Sequence, residues 1–134
     1  MPVVRDVMAH PAHTVHRHAP LTDVLRLMEE GGFRHLPVVD DAGGLVGILT
    51  DRDLANRATG PMGFLEARER QQALAAIEVY EVMTDEPLSV APGTSLRAAA
   101  RLMIERRVSS LPVVEDGAVI GILTSTDFLR YVAG

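Results

Sequence analysis

The chain of 134 residues carries the same pattern twice. LPVVDDAGGLVGILTDRDL, from Leu36 to Leu54, aligns with LPVVEDGAVIGILTSTDF, from Leu111 to Phe128, once the second stretch loses one residue in its turn. The match continues upstream, where Val4-Arg5-Asp6-Val7-Met8 answers Val79-Tyr80-Glu81-Val82-Met83 and Arg26-Leu27-Met28 answers Arg101-Leu102-Met103. About twenty of roughly fifty aligned positions agree, which makes internal duplication the strongest constraint on the fold. Two copies are too few for a solenoid, so a pair of similar lobes is expected.

Each copy reads the same way. Leu21, Val24, Leu25 and Met28 recur at helical spacing, as do Leu96, Ala99, Ala100 and Met103. Pro20 suits the first helical position of one helix, and Thr94 is placed to cap the other. Gly31-Gly32 supplies a stop for the first helix, whereas Arg106-Arg107 offers the second no such stop. Two short apolar runs follow in each copy, separated by Asp40-Asp41-Ala42-Gly43-Gly44 or by Glu115-Asp116-Gly117, and read as hairpin strands. A closing helix is expected near Asp51 and near Ser125. Thr59-Gly60-Pro61-Met62-Gly63 breaks the chain between copies, and Phe64 to Ile77 reads as a connecting helix. The expected division is 1–58, 59–77 and 78–134.

Apolar residues make up 47% of the chain, ample for an aliphatic core without Trp. The net charge of −5 and the lack of any basic cluster argue against nucleic acid as a partner. With no cysteine, disulfides, thiolate metal sites and a cysteine nucleophile are excluded. No apolar run is long enough for a signal peptide or membrane span, so a cytoplasmic protein with no membrane partner is expected.

The order V-x-D/E-V-M, helix, L-P-V-V, turn, G-I-L-T-x-x-D, occurring twice from Val3 to about Val132, resembles a stand-alone tandem pair of CBS domains, named after cystathionine β-synthase. The resemblance implies an α+β fold. Two β-α-β-β-α repeats would pack about a pseudo-twofold axis through their sheets. It also implies an adenosine-containing ligand (AMP, ADP, ATP, S-adenosylmethionine or NAD) in clefts between repeats, no obligate cofactor, a homodimer, and regulation of a separate protein in trans.

Thr50-Asp51-Arg52-Asp53 and Thr124-Ser125-Thr126-Asp127 each join a strand to a helix. T-x-x-D there is a capping box, in which the hydroxyl meets the third helical N–H and the carboxylate bonds back. The same groups suit a ligand: free N–H groups with a hydroxyl hold phosphate, and a carboxylate accepts from a ribose diol. The family resemblance gives Asp53 and Asp127 to ribose and Thr50 and Thr124 to the phosphate side. Arg34, His35 and Arg52 would add positive charge to the first site, where the second copy has Ser109, Ser110 and Thr126. The site using Asp53 is therefore expected to bind nucleotide better. Thr14 and Val15, or Leu88, Ser89 and Val90, would line the two base pockets.

Four of the five histidines fall between His10 and His18, opposite Asp85, Leu88, Ala91 and Gly93 of the second copy. That copy builds the same pattern without them, and no second cluster completes a tetrahedral metal site. An exposed segment with no metal is the reading. Two other functions compete with the regulatory one: a ligand-free scaffold for protein association, and a phosphohydrolase using Asp51, Asp53 and a metal. Only one copy has the Asp-x-Asp pair, and no nucleophile with an oriented base is evident, so an enzyme is not expected.

Overall fold

The computed structural model describes residues 1–55 and 65–134. Its elements are α1 (Val4–Val7), β1 (Val15–His16), α2 (Leu21–Gly31), β2 (His35–Val39), β3 (Leu45–Thr50), α3 (Asp51–Leu54), α4 (Ala67–Ala75), a 3-10 turn (Val79–Glu81), β4 (Thr84–Asp85), α5 (Leu96–Arg106), β5 (Ser110–Glu115), β6 (Ala118–Thr124) and α6 (Ser125–Ala133). The fold is α+β, with both expected hairpins present as β2–β3 and β5–β6. Of the expected connecting segment, helix occupies Ala67–Ala75, while the Thr59–Gly63 break and Phe64 lie outside the described residues.

The chain forms two compact units. One comprises Thr14–Ala42 and Val46–Pro87; the other comprises Met1–His13, Gly43–Leu45 and Leu88–Gly134. The units do not follow the order of the repeats, because the V-x-D/E-V-M segment of each copy packs with the hairpin of the other. In the Thr14–Pro87 unit the sheet runs β1-β2-β3-β4, with Gly47 and Ile48 of β3 facing Asp85 and Thr84 of β4. In the Leu88–Gly134 unit the same plan is reduced to bridges, Val90 beside Val113 and Ala9 beside Ile122, flanking β5–β6.

The glycine of G-I-L explains this docking. A Cβ on Gly121 would lie 2.7 Å from the Met8 sulfur and 2.8 Å from the Ala9 carbonyl oxygen. One on Gly47 would lie 3.0 Å from both Met83 Cγ and the Thr84 carbonyl oxygen. Only glycine admits the methionine of the other copy so closely. The repeated Met and the repeated Gly are thus two halves of one contact, made twice.

Each unit has its own apolar core. Leu21, Val24, Leu36, Val38 and Leu49 centre one, and Val4, Ala99, Leu111, Val113 and Leu123 centre the other. Two helix starts differ from expectation by a residue. Pro20 is the cap itself, because Leu21 already has helical geometry, and Ser95 rather than Thr94 caps α5, its hydroxyl accepting from the Ala98 N–H at 3.1 Å. The Arg106-Arg107 end also stops cleanly, contrary to expectation. Arg107 adopts φ 56°, and the Val108 N–H reaches back to the Met103 carbonyl oxygen at 3.0 Å; Gly32 ends α2 in the same left-handed region, at φ 71°. A non-glycine residue there costs about 1 kcal/mol, and the fold tolerates it.

Candidate functional site

In the Thr14–Pro87 unit, the start of β2 and the end of β3 come together. The Asp51 N–H donates to the Arg34 carbonyl at 3.1 Å, which sets Arg34-His35 beside Thr50-Asp51-Arg52-Asp53. The capping box forms as expected: Thr50 Oγ1 accepts from the Asp53 N–H at 3.1 Å, and Asp53 Oδ2 accepts from the Thr50 N–H at 3.0 Å. The other Asp53 oxygen accepts from the Thr84 hydroxyl at 3.4 Å, a β4 residue that sequence reading missed because it belongs to the other copy. Arg34 and Arg52 are exposed, while Asp53 is half-buried.

His35 stands out chemically. Its Nδ1 is buried with no hydrogen-bond partner. Burial, the largest influence, holds its pKa below the ordinary 6.5; Asp51 opposes that shift and Arg34 adds to it. Burial thus favours the neutral form of the ring. A buried polar atom without a partner is uncommon and calls for a physical reason.

The remaining predicted residues of this unit lie elsewhere on it. Val15 pairs with Val38 in the sheet and its side chain belongs to the core, leaving Thr14 as the exposed member of the pair. A cleft of about 350 Å³ opens on the helical side, lined by Leu25, Met28, Phe33 and Leu54, with Glu29, Arg34 and Asp51 supplying charge. It shares only Arg34 with the predicted ligand residues.

The Leu88–Gly134 unit repeats the corner with different chemistry. Ser125 N–H donates to the Ser109 carbonyl at 3.0 Å, as Asp51 does to Arg34. Asp127 Oδ2 accepts from both the Thr124 N–H (2.8 Å) and the Thr124 hydroxyl (3.2 Å). Asp127 is only 8% exposed, and Ser110 is buried too. Leu88 and Val90 pack against the core of this unit, while Ser89 is exposed. The second corner holds the same carboxylate without the arginines and more deeply enclosed.

Two histidines of the largely exposed His10–His18 segment meet carboxylates. His16 Nε2 meets the Asp41 carboxylate, and His18 Nδ1 lies 2.9 Å from Glu78 Oε2, with the two rings 5.5 Å apart. His16 and His18 do share a neighbourhood, as strand alternation implies, but the carboxylates come from positions far away in sequence. Among the described residues no helix is long and apolar enough to cross a membrane.

Comparison with known proteins agrees with this geometry. The CBS domain family model matches residues 4–60 and 79–134. A CBS domain-containing protein of Dictyostelium discoideum is 30% identical over 128 residues, spanning 95% of this chain and 88% of that protein. The structure of CBSX2 in complex with AMP is 33% identical, with a TM-score of 0.81 over 99% of this chain and 97% of that one. The CBS domain pair of protein MJ0100, in complex with 5′-methylthioadenosine and S-adenosyl-L-methionine, is 27% identical, with a TM-score of 0.84 over 100% of this chain and 98% of that one. Three longer curated relatives are spanned over only 28%, 24% and 24% of their length. With both of its repeats matched over nearly their full extent, the chain belongs to the CBS domain family as a tandem CBS pair.

Proposed function

We propose that this chain is a regulatory module that binds an adenosine-containing ligand and acts in trans on a separate protein, with no catalysis of its own. It works in the cytoplasm as a homodimer. The observation that carries the reading is the corner where Arg34, His35, Thr50, Arg52 and Asp53 meet at one end of the β2–β3 hairpin. Exposed Arg34 and Arg52 can grip phosphate in bidentate fashion. Asp53 keeps lone pairs for a ribose diol, and the unpartnered His35 nitrogen marks a place where the fold has not closed its own polar groups. The ligands in the CBSX2 and MJ0100 structures, AMP in one and methylthioadenosine with S-adenosylmethionine in the other, support the adenosine class. The Asp127 corner, with Thr124, Leu88 and Val90, is the weaker site, because it lacks the arginines and its carboxylate is enclosed. A ligand regulates only through different affinities for two states of the module.

Titration calorimetry of nucleotide-stripped protein against AMP, ADP, ATP, S-adenosylmethionine and NAD tests this. Asp53→Ala should weaken binding of the preferred compound by roughly tenfold or more, while Asp127→Ala leaves it nearly unchanged. Silence across the panel would sink the ligand reading and leave a scaffold. Turnover of ATP with a divalent metal would instead revive the phosphohydrolase.

A further inference from the structure

The carboxylates of the two T-x-x-D corners are left in different chemical states. In the Thr14–Pro87 unit, Ile48 of β3 faces Thr84 of β4, whose hydroxyl donates to the second oxygen of Asp53. In the Leu88–Gly134 unit, the residue opposite Ile122 is Ala9, which has no hydroxyl to offer. Asp127 Oδ2 is taken by the N–H and the hydroxyl of Thr124, and Oδ1 accepts no hydrogen bond among the described residues. The residue is only 8% exposed and makes no ion pair among the described residues. A carboxylate enclosed in this way has lost much of its water, and one oxygen has gained no donor in exchange. Hydroxyl or cationic groups from a ligand would relieve that deficit. A second anion would add to it.

Around Asp127 the second copy offers hydroxyls in place of charge. Ser109, Ser110 and Thr126 stand where Arg34, His35 and Arg52 stand in the first copy. Hydroxyls can hydrogen-bond a ligand, yet they cannot neutralise a phosphate. The positive end of α6 is already met by Asp127 itself, and Arg130 lies a turn further along that helix. A ribose held through its diol by Asp127 carries its 5′ substituent only a few bonds away, within the field of the carboxylate. A phosphate there is a like charge with no arginine to offset it.

We propose that the Asp127 corner is a second binding site, selective for adenosine compounds whose 5′ group carries no negative charge, while the Asp53 corner takes those that carry phosphate. The inference rests on the adenosine reading above and adds a division of ligands by charge.

Calorimetry of the nucleotide-stripped chain with adenosine and with AMP, which share base and ribose, tests the division. Asp127→Ala should weaken adenosine binding by about tenfold or more and leave AMP within about threefold; Asp53→Ala should do the reverse. Because Asp127→Ala removes a buried group from a helix start, Ser109→Arg with Thr126→Arg supplies a second test at exposed positions. That variant should raise AMP binding from about one to about two equivalents per chain. An unchanged AMP count in it overturns the charge rule. Adenosine and AMP competing for one site, with both lost in Asp53→Ala, overturns the second site while the Asp53 reading stands. Silence with both compounds removes the adenosine reading and this inference together.

Discussion

Two corners built from the same T-x-x-D sequence differ in how much of the carboxylate they leave for something else. At Asp53 one oxygen bonds back to the Thr50 N–H, the other meets Thr84 weakly, and two arginines stand exposed beside it. At Asp127 a single oxygen takes both the N–H and the hydroxyl of Thr124, and the residue is nearly sealed. The capping role is common to both, so it explains why the motif is present twice. It does not explain the arginines, which are the first copy's own.

The largest effect should come from the methionine–glycine contact that is made once within each unit. Gly47→Val and Gly121→Val should each destabilise the protein by about 2–3 kcal/mol in urea unfolding, because each forces a methionine of the other copy away from the strand. Equal losses mean the two docked segments hold alike. A loss at one position alone would show that only that unit depends on its borrowed segment.

The caps come next. Thr50→Ala removes an acceptor from one helix-start N–H and should cost about 1 kcal/mol. Thr124→Ala removes a donor from an enclosed carboxylate and should cost more, about 1–2 kcal/mol. Thermal or urea unfolding of the pair separates these, and the reverse ranking would mean that Asp127 is solvated after all.

The smallest effect is a pH dependence confined to the first copy. Burial keeps the folded-state pKa of His35 below its ordinary 6.5, so the unfolded chain takes up a proton that the folded chain resists. The stability associated with neutral His35 is full above pH 6.5 and is lost as pH falls below it. His35→Gln should flatten the stability profile in that acidic range, measured by urea unfolding at several pH values. Ser110, at the matching place in the second copy, has no proton to exchange, and Ser110→Ala should leave the slope as it is.

Much of this architecture is legible in the residues themselves. Short apolar runs bounded by turn residues mark β2, β3, β5 and β6, and period-3.6 spacing marks α2 and α5, since each depends on neighbours close in sequence. Both capping boxes follow from four-residue motifs, and the loss of Arg34, His35 and Arg52 from the second copy is plain on alignment. Three things are not legible there. The left-handed turn at Arg107 depends on Val108 closing back on Met103, a choice that backbone hydrogen bonding makes against side-chain preference. The carboxylates facing His16 and His18 come from Asp41 and Glu78, 25 and 60 residues away.

The exchange of V-x-D/E-V-M segments is the third, and it is the deepest. By itself the sequence determined that there are two repeats, which strands and helices each contains, and that only one corner is basic. Tertiary structure alone decided which Met lies on which Gly. Both copies offer the same two surfaces, so no local preference distinguishes partner from self, and the pairing is settled by chain geometry and close packing across the fold.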